Sequence, residues 1–114
     1  MTTVLLVEDE DLIRRMSADQ LTHRGFVVLQ AADAGQAIAV LEARQDIHLL
    51  FTDIDMPGTM DGLRLAAVVR TRWPRVPIIV TSGKIAAPPM PERAVFIPKP
   101  YRMPNLVQTI NALV

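Results

Sequence analysis

The chain has 114 residues, half of them apolar, with 12 lysines and arginines balancing 12 aspartates and glutamates. That length encloses one core, so residues 1–114 read as one domain, and zero formal charge leaves no global field to attract nucleic acid or an anionic membrane. The absence of cysteine excludes disulfides, thiolate metal sites and cysteine nucleophiles and accords with a cytoplasmic setting; the opening MTTVLLVEDE is too short and acidic for a signal peptide, and no apolar run reaches the ~20 residues of a membrane span.

Apolar runs alternate with helical patterns, which predicts successive βα units and a parallel sheet. Thr3 to Val7 is a β-branched run. Asp9 or Asp11 then offers a cap for a helix that turns Leu12, Ile13, Met16 and Leu21 inward and stops at Gly25. Phe26 to Gln30 gives a second strand, and Asp33 caps a helix with Ala37, Ile38 and Leu41 at helical spacing. His48 to Thr52 gives a third strand, closed by Asp53. After the Met56-Pro57-Gly58 turn a helix runs from about Asp61 to Arg72, ended by Pro74. Val76 to Val80 reads as a central strand covered on both faces, and Ala94 to Ile97 as a fifth. The last helix, Met103 to Leu113, buries Leu106, Val107, Ile110 and Leu113.

The chemistry-bearing side chains fall where strands give way to loops. Glu8, Asp9 and Glu10 follow the first strand, Asp53 closes the third, Thr81 and Ser82 close the fourth, and Lys99 follows the fifth. In a parallel α/β sheet these are all carboxyl ends, the edge where such folds bind ligands. The second strand ends in Ala31-Ala32, with nothing reactive, which places it at the outside and supports the order 2-1-3-4-5. Alone, Asp9, Thr81 and Lys99 have ordinary roles as cap, strand end and solvated lysine, whereas a carboxylate such as Asp53 ending Leu49-Leu50-Phe51 is costly without paired charge. Together they describe a site. Converging carboxylates need a counter-charge, and Mg²⁺, which takes oxygen ligands, fits Asp9 and Asp53 while leaving room for phosphate oxygens. Lys99 adds a second positive charge and Thr81 a hydroxyl donor, a set suited to phosphoryl transfer onto a carboxylate. His23 and His48 have no spacing to a second ligand, and Trp73 reads as packing at a helix end.

These motifs resemble the receiver domain of bacterial two-component response regulators, of the single-domain, chemotaxis-regulator-like kind, over nearly the whole chain. VLLVEDE is similar to the first strand and acidic pair, FTDIDMPGTMDG to the phosphoacceptor strand and loop, IIVTSG to the strand carrying the switch hydroxyl, and FIPKPY to the lysine segment. The resemblance implies a flavodoxin-like, doubly wound five-stranded sheet. It also implies a phosphorelay switch that takes a phosphoryl group onto Asp53 from a histidine kinase or phosphotransfer protein, with Mg²⁺ as cofactor. By the same resemblance Asp9, Asp53 and the Asp55 backbone carbonyl hold the ion, Glu8 acts through water, and Thr81 and Lys99 engage the phosphoryl group. Phe96 is the aromatic that rotates inward with Thr81, and the Lys99-Pro100 bond is cis.

The sequence departs from the family pattern in its loop after Asp53, longer by one residue at Thr59, and in Asp55 and Gly83, positions that tune dephosphorylation in the family. Where a fourth helix is expected, Pro88, Pro89 and Pro91 disfavour helix, so a loop or at most one turn is predicted between Thr81 and Ala94. The expected output is altered binding to a downstream protein, without direct nucleic-acid contact or membrane association, and without turnover of any substrate beyond its own phosphorylation and dephosphorylation. Two alternatives stand beside this reading: a haloacid-dehalogenase-type phosphatase using Asp53 and Asp55, and a pseudo-receiver that binds partners unphosphorylated.

Overall fold

The computed structural model describes residues 1–56, 58, 60–84 and 88–114. Its elements run β1 (Thr3–Val7), α1 (Asp11–His23), β2 (Val27–Ala31), α2 (Ala34–Ala43), β3 (Leu49–Asp53), α3 (Gly62–Arg72), β4 (Ile78–Ser82), β5 (Ala94–Pro98) and α4 (Met103–Leu113). All strand pairs are parallel and the sheet order is β2-β1-β3-β4-β5, as the distribution of polar strand ends predicts. This is the doubly wound, flavodoxin-like arrangement. It places the ends of β1 and β3 side by side at the point where the strand order reverses.

Strand alternation divides the core. Leu5, Val7, Leu50, Ile78 and Val80 face one way and meet Ala37 and Leu41 of α2 and Leu65 and Val69 of α3. Val4, Leu6, Leu49, Phe51 and Ile79 face the other way and meet Ala18 and Leu21 of α1 and Leu106 and Ile110 of α4. Every residue of β1, β3 and β4 is buried, which fits parallel strands covered on both faces. In α4, Val107 and Leu113 are half-buried at the margin of the second cluster.

Several local details differ from the sequence reading. In α1 the inward stripe is Ser17, Ala18 and Leu21, whereas Leu12, Ile13 and Met16 are 71%, 40% and 54% exposed. Small side chains let the helix lie close to the sheet, and the bulkier apolar stripe is left outside. Glu10, with no side-chain cap bond, holds the N-cap position, and Asp11 is the first helical residue, paired with Arg14 and Arg15. The helix ends as expected: Gly25 has φ +93°, and Gly25 and Phe26 donate to Thr22 and Leu21, closing the turn through a left-handed residue. β4 starts two residues later than predicted, after Pro77, and carries Thr81 and Ser82 inside the ladder opposite Ile97 and Pro98. Among the described residues between β4 and β5 none is helical, in line with the three prolines; 85–87 lie outside the described residues, as do Pro57 and Thr59 of the lengthened loop.

Candidate functional site

Alternation along the strands puts Asp53 and Thr81 on the α1/α4 face, directly opposite each other in the β3–β4 register. Glu8 continues the Val4 and Leu6 side of β1, and Lys99 the Ile97 side of β5. The result is a convergence of side chains from four strand ends. Carboxylate oxygens of Glu8, Asp9 and Asp53 lie within 4.8 Å of one another, with Glu8 and Asp53 buried. The Lys99 ammonium donates to Asp53 Oδ2 at 2.7 Å and reaches Glu8 Oε1 at 3.4 Å. The Asp55 backbone N–H donates to Asp53 Oδ1 at 3.0 Å, so both oxygens of this carboxylate are engaged.

The loop after β1 is held from outside by Arg14, whose guanidinium donates to the Glu8 carbonyl at 3.0 Å and to Gln30 Oε1 at 3.3 Å and pairs with Asp11. Glu8 Oε2 accepts the Glu10 N–H at 3.0 Å. Burial nevertheless dominates at Glu8, and with the neighbouring carboxyls it pushes the carboxyl up from its ordinary 4.5 to about 7. At Lys99 burial opposes the charge, but the hydrogen bond and charge of Asp53 outweigh it and hold the ammonium above its ordinary range.

The carboxylate set suits a hard divalent cation. Oxygens on opposite sides of a six-coordinate Mg²⁺ lie ~4.2 Å apart, so the observed spacing of up to 4.8 Å needs only small side-chain adjustment. Lys99 pairs with two of the three acids, Glu8 and Asp53, which leaves the cluster short of positive charge. Residues of the site therefore fit the ion that the resemblance implies.

Thr81 Oγ1 is buried and, among the described residues, has no hydrogen-bond partner. It borders a cavity of about 10 Å³ shared with Asp53, Lys99, Ser17 and Tyr101. The sequence reading assigned Tyr101 and Ser17 no role. Tyr101 packs edge-on against Phe51 with ring centroids 5.7 Å apart, its phenol interacts with Ser17 of α1, and burial raises its pKa. An aromatic next to Lys99-Pro100 was the available signal, but its partner on α1 has no mark in sequence.

Two predicted residues stand apart from this cluster. Phe96 is half-buried on the α2/α3 face, packed against the first core cluster. The Asp55 carboxylate accepts the Ser82 hydroxyl at 2.7 Å, and Ser82 lies on the face of β4 opposite Thr81. The Lys99-Pro100 bond is cis. His48 is a strand-start residue whose Nδ1 accepts the Thr3 N–H at 2.9 Å, and Trp73 packs under Arg72, with the guanidinium 4.4 Å from the ring centroid. Both line a wider groove of about 880 Å³ at the opposite edge of the sheet, which lacks the carboxylate cluster.

Comparison with known proteins agrees with this fold. The "Sensor kinase CckA" of Brucella abortus is 32% identical over 117 aligned residues, covering 97% of this chain and 12% of that protein. The "Nitrogen assimilation regulatory protein NtrX" of Azorhizobium caulinodans is 34% identical over 110 residues, covering 91% of this chain and 24% of its own length. The chain thus spans a minor part of these curated relatives. The crystal structure of the receiver domain from the hybrid histidine kinase CckA superposes with TM-score 0.84 at 33% identity, covering 97% of both chains. The sequence profile of the response regulator receiver domain matches residues 4–111, and the chain belongs to that family.

Proposed function

We propose that this receiver domain is a phosphorylation-operated switch, spanning residues 1–114, in which Asp53 is the phosphoacceptor. The observation that carries the reading is the Lys99 ammonium 2.7 Å from Asp53 Oδ2, beside a carboxylate cluster suited to a divalent cation. An Asp53 oxygen attacks phosphorus as the donor's bond to phosphorus breaks; with a phosphohistidine the departing imidazole takes a proton from solvent, and with an acyl phosphate a carboxylate leaves directly. Lys99 and the Thr81 hydroxyl hold the transferred oxygens, in keeping with a reaction governed by positioning and charge neutralisation. Asp9, Asp53 and the Asp55 backbone carbonyl would hold Mg²⁺, with Glu8 acting through water, and the bound ion would supply positive charge to the phosphate oxygens. Thr81 then draws on the phosphoryl group, Phe96 moves inward on the far side of β4, and the surface around β5 changes its affinity for a downstream protein.

The donor class proposed is a histidine kinase or phosphotransfer protein in the cytoplasm, and the chain's own chemistry is limited to gaining and losing its phosphoryl group. The relative CckA is named a sensor kinase, which supports this donor class. No helix among the described residues is long and apolar enough to cross a membrane. The test is incubation with acetyl phosphate and Mg²⁺, followed by intact-mass analysis. A single phosphoryl addition that disappears in Asp53→Asn and in chelator is expected. Equal labelling of Asp53→Asn would overturn the assignment, and turnover of phosphomonoesters would favour a phosphatase.

A further inference from the structure

Three carboxylates, from Glu8, Asp9 and Asp53, cluster at the carboxyl edge of the sheet, where the Lys99 ammonium pairs with Glu8 and Asp53. A fourth stands two residues beyond the acceptor. The Asp55 backbone is tied to Asp53 Oδ1 through its N–H at 3.0 Å, so its side chain is on a short tether from the acceptor. What it does instead is reach across to β4, where Oδ2 accepts the Ser82 hydroxyl at 2.7 Å. Ser82 is 1% exposed, and its Oγ accepts the Lys84 N–H at 3.0 Å, which leaves the single hydroxyl proton directed to Asp55. Because side chains alternate along β4, Thr81 faces the acceptor and Ser82 faces the α2/α3 side.

We infer that Ser82 is a positioning residue for phosphoryl acceptance: its hydroxyl latches the Asp55 carboxylate on the far side of β4, away from Asp53. The inference rests on the receiver reading and adds a residue to it. An incoming phosphoryl group carries negative charge toward Asp53, so a mobile carboxylate at that point opposes it, while the same carboxylate attracts a divalent cation. The latch thus trades some cation affinity for a site that accepts phosphate.

The opposite signs of these effects give a test that general damage cannot imitate. Ser82→Ala, Asp55→Asn and the double variant of the full chain are compared with wild type in two measurements: the rate of Asp53 labelling by acetyl phosphate at saturating Mg²⁺, and calorimetric titration with Mg²⁺ alone. Ser82→Ala is expected to slow labelling roughly three- to tenfold and to tighten Mg²⁺ binding about twofold or more, magnitudes usual for coupled neighbours. In the Asp55→Asn background, removing the Ser82 hydroxyl is expected to change neither quantity further. The inference is overturned if Ser82→Ala leaves both quantities at the wild-type value, weakens both, or acts equally in the Asp55→Asn background. Wild-type protein that no phosphodonor labels overturns the receiver reading itself, and the Mg²⁺ titration then decides the latch independently.

Discussion

At the scale of single residues, the two most informative side chains are those that the fold holds at a cost. Thr81 Oγ1 is buried without a partner among the described residues, and an unsatisfied hydroxyl costs ~1–3 kcal/mol. Valine has nearly the same shape and no hydroxyl. Thr81→Val is therefore expected to raise the unfolding free energy by ~1 kcal/mol in urea titrations. A loss of stability instead would show that the hydroxyl is satisfied in solution. Glu8 carries the second cost, since its carboxyl is raised from 4.5 in the unfolded chain to about 7 in the fold. A raised carboxyl favours the protonated folded form, so its contribution is fully present below 4.5 and is lost as pH rises through about 7. In metal-free buffer the chain should lose on the order of 3 kcal/mol of stability from this group between about pH 5 and pH 8, and Glu8→Gln should lack that loss. Urea midpoints of both proteins across the range check it. Asp53 was legible in sequence because a carboxylate closing Leu49-Leu50-Phe51 is costly without paired charge, and Lys99, an ordinary solvated lysine when read alone, because it ends a strand at the same sheet edge as the acids. The Ser82–Asp55 bond was not, because it joins residues 27 apart through rotamers that no spacing rule encodes.

Secondary-structure elements were legible where a cap or a breaker marks them. Asp33 and Asp61 each accept a backbone N–H three residues on, at Gln36 and Arg64, and α2 and α3 begin there. α1 was harder, because its apolar stripe of Leu12, Ile13 and Met16 and its small stripe of Ser17 and Ala18 both have helical spacing. Apolarity selected the first; close approach to the sheet selects the second. Gly62, the first residue of α3, lies against the end of β3. Its N–H donates to the Ile54 carbonyl at 3.1 Å, and a β-carbon added there would overlap the Asp53 carbonyl oxygen and stand 2.7 Å from the Asp53 carbonyl carbon and 2.8 Å from Ile54 Cα. Backbone fills that space, so no rotamer relieves the clash. Gly62→Ala is expected to cost ~1–3 kcal/mol in urea unfolding. Since the displaced atoms belong to Asp53 and its neighbour, Asp53 labelling by acetyl phosphate should slow as well. Unchanged stability would mean that α3 can slide away from β3 freely.

Across the whole molecule, the strand order was legible because reactive side chains end four strands and none ends the second. Coverage of the sheet was legible only in part: the three prolines argued against a helix before β5, but not for what holds that strand instead. On the α1/α4 face Ile97 packs against the core, while on the other face Phe96 and Ala94 are only half-buried, and β5 is an edge strand paired to β4 alone. Its entry is fastened by an arginine. The Arg70 guanidinium of α3 donates to the carbonyls of Pro74 at 2.6 Å, Val76 at 3.0 Å and Arg93 at 3.3 Å, linking the approach to β4 with the approach to β5. Arg93 has φ +60° and donates its own guanidinium to Pro74 O at 3.2 Å, so two cations converge on one carbonyl. Hydrogen bonds from charged groups to carbonyls contribute more than neutral ones, ~1.5–3 kcal/mol each where they are shielded, and less at a half-exposed site such as this. Arg70→Met keeps the apolar stem and removes these bonds. A net loss of 1–2 kcal/mol confined to β5 corresponds to amide exchange about 5–30-fold faster. That acceleration is expected at Val95 to Ile97, with the amides of Val4 to Leu6 in β1 keeping their wild-type rates. Equal acceleration in both strands would mean that Arg70 supports the fold as a whole. No acceleration in either would mean that pairing with β4 alone is enough to hold the edge strand that leads into Lys99.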